Sequence, residues 1–197
     1  MNYLAHAYLS FNNADVLVGN MISDFIKGKK RFDFSGHIQN GIMLHRSIDA
    51  FTDEHIATKQ AKQFFKPVVG LYAGAFIDVV YDHFLANDKT QFDDEGLLKF
   101  SSSVYTTLEN YKNILPEKFA YMLPYMRSEN WLYNYRTLNG TGKSFGGLMR
   151  RAKYLDNNNL PFERFQKNYN ELNHYYNVFF PDVKQFAYEK FISVNKL

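Results

Sequence analysis

The chain has 197 residues, no cysteine, 46% hydrophobic residues and 18% aromatic ones. That length suits one domain with a sizeable core, and the apolar content is well above that of a disordered chain. The missing cysteines exclude a disulfide scaffold, thiolate metal sites and a cysteine nucleophile. The net charge of +3 hides a split: residues 1–100 hold 10 basic and 12 acidic side chains, residues 101–197 hold 13 and 8.

The pattern predicts helices almost throughout, an all-α bundle in a single domain over residues 1–197. Apolar residues recur at spacings of three and four, as in Ile38, Ile42, Ile48 and Ile56 or Phe76, Val80 and Phe84. A first helical region closes at Gly28, with the Lys29-Lys30-Arg31 run placing cations near its C-terminal dipole. Ser35 caps a long helix over 36–65, which Lys66-Pro67 stops. A third helix covers 70–86 and ends at Asn87-Asp88; Asp93, Asp94 and Glu95 open a fourth. Pro116 and Pro124 bracket a short helix, and 139–142 and 156–159 are loops. A last helix runs over 161–179, and Pro181 separates a final amphipathic stretch. The start of the chain lacks the basic and apolar regions of a signal peptide. The apolar stretch 71–86 contains Asp78, Asp82 and His83 and is too short and polar to cross a bilayer. The expectation is a cytoplasmic protein with no membrane span.

Two segments carry unusual chemistry. Asp78 and Asp82 lie one turn apart on an otherwise apolar helix, where carboxylates are costly unless a basic group, a proton or a metal ion neutralises them. His45 and Asp49 repeat that spacing on the long helix, with Asp53 a turn further on. His6 and the pair Asn20 and Asp24 also sit in apolar surroundings. Imidazole and carboxylate donors without thiolates suit Mn, Fe, Zn or Mg. His37, His55 and His174 lie in more polar surroundings and read as solvated histidines.

Four blocks carry a family resemblance: Met-Asn-Tyr-Leu-Ala-His at 1–6, Gly-Asn-Met-Ile-Ser-Asp-Phe at 19–25, Gly-Ile-Met-Leu-His-Arg-Ser-Ile-Asp-Ala-Phe-Thr-Asp at 41–53 and Asp-Val-Val-Tyr-Asp-His-Phe-Leu at 78–85. Together they resemble the acyl carrier protein phosphodiesterases, with weaker similarity through Glu129-Asn130-Trp131-Leu132 and 147–151. The resemblance implies an all-α fold related to the HD phosphohydrolases. It also implies hydrolysis of the phosphodiester joining 4′-phosphopantetheine to a serine of holo-acyl carrier protein, with a divalent metal, typically Mn2+, Mg2+ and Fe2+ being alternatives. On that basis His6, Asp24, His45, Asp78 and Asp82 are candidate metal ligands. Asp24, Asp49 and His83 are candidates for moving protons, and Arg46, Arg150 and Arg151 for binding substrate. The chain has Asp82-His83 where an HD domain has His-Asp, so the HD ligand order is not carried over.

Carrier proteins are acidic, and the basic C-terminal half, with Arg127, Arg136, Arg150, Arg151 and Lys153, is a candidate docking surface. Two other readings fit the same residues. One is a metal-dependent phosphohydrolase acting on a nucleotide or another small phosphodiester. The other is a non-enzymatic helical module, with Tyr133, Tyr135, Tyr154, Tyr169, Tyr175 and Tyr176 as stacking groups. The absence of a dense basic run among those tyrosines argues against a nucleic-acid partner.

Overall fold

Helices supply every regular element among the described residues of the computed structural model, which are 1–93, 95–152, 155 and 159–195. In chain order they are α1 (Tyr3–Tyr8), α2 (Ala14–Ile22), α3 (Gly36–Glu54), α4 (Ile56–Lys62), α5 (Lys66–Val69), α6 (Ala73–Asn87), α7 (Gly96–Asn110), α8 (Glu117–Ser128), α9 (Trp131–Asn134), α10 (Leu138–Arg151), α11 (Leu160–Lys167) and α12 (Tyr169–Asn195). Short 3₁₀ turns at Ser23–Phe25, Gly28–Asp33, Gly70–Tyr72 and Lys112–Ile114 link them. The all-α class expected from the sequence is the one the chain adopts.

The core is aromatic. Tyr81 of α6 stacks on Phe179 of α12 with ring centroids 4.7 Å apart, and Phe76 meets Phe145 of α10 edge-on at 4.9 Å. α6 is wrapped on nearly every side, with Phe76, Ile77, Val80, Tyr81, Asp82 and Leu85 all at 0% exposure. With α5 and the turn before it, α6 forms a run of 22 residues, Lys66–Asn87, long and apolar enough to cross a membrane; 61% of its most apolar stretch is buried inside the bundle, as in a core helix.

α2 and α3 cross backbone to backbone. A Cβ on Gly19 would lie 2.0 Å from Ile38 O, and one on Gly41 would lie 2.3 Å from Val16 O. Ser23 Oγ donates to Ile42 O across the same contact. No side chain fits between the helices, so the crossing fixes what α2 and the turn after it present to α3.

Several expected boundaries move. The helix expected over 36–65 breaks at His55, whose backbone is extended and whose ring Nδ1 accepts from the Ala57 N–H at 3.2 Å, capping α4. His55 is therefore a cap, with its other nitrogen 3.1 Å from Asp182, and not a solvated side chain. Pro67 sits in the first turn of α5, where a missing N–H costs nothing, so it begins a helix where a stop was expected. Residues 139–142 are helical: Thr137 caps α10 by accepting from Gly140 N–H at 2.9 Å. Gly140 serves packing there, since a Cβ would lie 2.0 Å from Asn134 O. Pro124 and Pro181 lie inside α8 and α12 and do not end them. The helix expected over 161–179 divides at Asn168. Asp93 caps the start of α7 through Glu95 and Gly96 N–H, while Asp94 and 156–158 lie outside the described residues.

Gly19→Ala or Gly41→Ala should destabilise the protein by about 3 kcal/mol or more, because the obstructing atoms are backbone. Gly36→Ala, with open space at its Cβ position, should be neutral or stabilising by about 0.5 kcal/mol. Denaturant unfolding of the three variants measures the contrast.

Candidate metal centre

The α2–α3 crossing brings Asn20 and Asp24 against His45 and Asp49. His45 Nδ1 lies 2.7 Å from Asn20 O; a carbonyl only accepts, so Nδ1 carries a hydrogen and Nε2 faces the other way. There it meets Asp24 Oδ1 at 3.2 Å and Asp49 Oδ2 at 3.1 Å. His45 and Asp49 are one turn apart on α3, which puts both on one face. The second oxygen of Asp49, Oδ1, is 3.1 Å from His6 Nε2, so this carboxylate bridges two imidazoles. The two rings stack with centroids 3.8 Å apart.

His6 is delivered by α1. The buried Asp82 carboxylate accepts Leu4 N–H at 2.7 Å and Ala5 N–H at 3.1 Å, satisfying first-turn amides at the positive end of α1. The buried Asn20 amide donates to His6 O at 2.9 Å and to Ser10 Oγ at 3.1 Å, holding the other end. Asn20 thus orients the His45 ring through its backbone carbonyl and holds the His6 backbone through its side chain. The Met1 amino group donates to Asp78 Oδ1 at 2.9 Å and lies 3.5 Å from Asp49 Oδ1.

The charges interlock. Burial disfavours a charged His45, yet its hydrogen bonds to Asp24 and Asp49 outweigh that and raise it to about 9. Burial, then the neighbouring His45 charge, lowers His6 to about 4. Burial alone would raise Asp49, but His45 and His6 hold it well below the usual carboxylate range. Asp24 is lowered chiefly by its bond to His45. Burial lowers the Met1 amine less than Asp78 and Asp49 raise it, to about 10. Burial also raises Asp78, and it pushes Asp82 up to about 7 against the two amide bonds.

Both Nε2 atoms therefore look at oxygens that only accept: Met1 O and Asp49 Oδ1 for His6, Asp24 Oδ1 and Asp49 Oδ2 for His45. Something positive must lie between them, either protons or a cation. His6, His45 and Asp49 offer ligand atoms within 4.8 Å of one another. Octahedral coordination at about 2.1 Å puts adjacent donors about 3.0 Å apart, close to the spacings seen here. Two imidazoles and two carboxylates are a donor set for a divalent transition ion. The residues fit such an ion.

The other sequence candidates lie elsewhere. Asp82 holds α1 and does not join the cluster, and Asp78 meets it only through the Met1 amine. His83 points away: Nδ1 donates to Tyr135 O at 2.8 Å and Nε2 accepts from Tyr169 O–H at 2.9 Å. Burial lowers it, as for a neutral core histidine. Arg46 donates to Ile26 O at 3.1 Å, beside Asp24 in sequence. Arg150 and Arg151 are exposed at the end of α10. Tyr3, absent from the sequence candidates, is pushed up to about 12 by burial and then by Asp24, with Arg151 opposing. Among the docking candidates, Arg127 pairs with Glu109, Arg136 lies over Tyr133 and Lys153 is outside the described residues. Tyr135 and Tyr176 are core, and Tyr154 is not described.

The family model for acyl carrier protein phosphodiesterase matches residues 1–183. Proteins named acyl carrier protein phosphodiesterase from Klebsiella pneumoniae (strain 342) and Serratia proteamaculans (strain 568) are each 29% identical to this chain, over 96% of it and 99% of their own length. One from Salmonella agona (strain SL483) is 30% identical over 79% of this chain and 81% of its own. No solved structure gives a significant match. The chain belongs to the acyl carrier protein phosphodiesterase family.

Proposed function

We propose that this protein hydrolyses the phosphodiester between 4′-phosphopantetheine and the carrier serine of holo-acyl carrier protein in the cytoplasm, using a divalent cation, with Mn2+ the first choice. The observation that carries the reading is the position of His45 Nε2 between Asp24 and Asp49, with Nδ1 pinned by Asn20 O, in a chain whose relatives bear that enzyme name.

His6, His45 and Asp49 would hold the cation, with Asp24 at its open side. Such a cation supplies Lewis-acid polarisation of the phosphoryl group and activation of water at neutral pH. Asp49, locked between two imidazoles, stays ionised and keeps both rings in place. Asp24 is the most open of the four, its side chain 70% exposed against 41% for Asp49. Substrate reaches it from solvent, and its carboxylate is suited to take a proton from the attacking water. The new bond is water oxygen to phosphorus; the bond from phosphorus to the serine oxygen breaks, and that oxygen collects a proton at the solvent-open rim. Arg46, which donates to Ile26 O two residues past Asp24, and the exposed Arg150 and Arg151 at the end of α10 are the cations available to meet the diester charge.

Incubation with holo-acyl carrier protein and Mn2+ should remove the phosphopantetheine mass from the carrier, and EDTA should stop the loss until metal is restored. An unchanged carrier mass beside turnover of a nucleotide diester would assign a different substrate. Asp24→Ala should lower kcat by about 10³-fold or more with the far-UV circular dichroism unchanged. His83→Gln should keep turnover within a few-fold of wild type and lose about 1–3 kcal/mol in denaturant unfolding, from the disrupted Tyr135 and Tyr169 bonds.

A further inference from the structure

The Lys29-Lys30-Arg31 run does not end a packed helix. Gly28–Asp33 is a 3₁₀ strap that buries none of its residues. It leaves the site directly: Asp24 lies in the preceding turn, and Gly28 takes a φ of +57° that swings the chain outward. Two bonds hold the strap to α3, the helix that carries His45 and Asp49. Arg46 donates to Ile26 O before it, and Gln39 Nε2 donates to Phe34 O after it at 2.8 Å. Between these anchors Arg31 lies over the Phe32 ring, 4.7 Å from its centroid, and against Met43 Sδ. Phe32 is 59% exposed and Met43 40%. Lys27, Lys29 and Lys30 are exposed, and no acid pairs with any of them among the described residues.

Four cations within five positions repel one another, and among the described residues no carboxylate pairs with any of the four. A concentration of positive charge around an exposed aromatic ring and a methionine has the anatomy of a protein interface, with an apolar centre and a charged rim. The more distant basic side chains Arg127 and Arg136 are already engaged by Glu109 and Tyr133.

We infer that the Lys27–Arg31 strap, with Phe32 and Met43 at its centre, is the docking surface for the acidic face of the carrier protein whose prosthetic group enters the site beside Asp24. This rests on the function proposed above. The strap steers the carrier by charge and Phe32 and Met43 seat it, so the surface governs encounter and not the chemical step.

The test uses the full chain with Lys27, Lys29 and Lys30 all changed to Glu, measuring hydrolysis of holo-carrier protein and, by fluorescence anisotropy, binding of apo-carrier protein. The expected result is a KM for holo-carrier raised 10-fold or more, kcat within twofold of wild type, apo-carrier binding weakened to match, and loss of the rise in KM with salt that wild type shows. An unchanged KM and unchanged apo-carrier binding would overturn the docking surface while leaving the function standing. Wild-type protein that binds apo-carrier through these lysines but cleaves no holo-carrier would sink the function and keep the surface; failure of both sinks both. Lysine-dependent binding to phosphatidylglycerol vesicles, with KM for the carrier unmoved, would overturn the inference in favour of a membrane surface.

Discussion

The close crossing of α2 and α3 at Gly19 and Gly41 is the constraint on which the site depends. With backbone against backbone there is no side-chain layer to absorb error, so Asn20 O reaches His45 Nδ1 at 2.7 Å and sets the tautomer of that ring. The amide of the same residue holds the carbonyl of His6. One buried asparagine thereby orients the His45 imidazole from behind, as the partners around a metal-binding histidine commonly do, and fixes the backbone that carries His6. The glycines act on the chemistry without touching it.

The second requirement is neutralisation of charge. Asp82 is buried and Asp49 and Asp78 are partly buried, where an unpaired carboxylate is costly. Each meets a different answer: Asp49 two imidazoles, Asp78 the Met1 amine, Asp82 two amides of α1. Asp82 therefore contributes to the site indirectly, by seating the helix that carries His6. Asp24 is the exception, since its carboxylate opens to solvent, and that is the property a group meeting an incoming substrate needs.

Helical spacing made the His45–Asp49 pair and the Asn20–Asp24 pair legible in the sequence, because α2 and α3 each have one face that matters. The same reasoning did not foresee the partners that Asp82 and His83 bond, for a physical reason. α6 is buried on nearly all sides, so periodicity does not say which polar residue turns toward which neighbour. The Met1 amine beside Asp78 depends on a long-range contact that no local pattern encodes. The fold class was legible throughout, the helix boundaries less so. Gly140 and Gly142 read as a turn because glycine permits one, whereas here it permits the close approach of Asn134 O and Phe162 to α10. His55 read as solvated because a histidine that caps a helix through its ring has no distinctive spacing.

His6, His45 and Asp49, with Asp24, form the proposed binding site for a divalent cation. Anomalous diffraction at the manganese edge, from crystals grown with Mn2+, tests it most directly. The expected peak is bounded by Nε2 of His6, Nε2 of His45 and the Asp49 carboxylate, with Asp24 on its solvent side. No peak there, or a peak at another set of residues with His45 still bonded to Asp24 and Asp49, would contradict it.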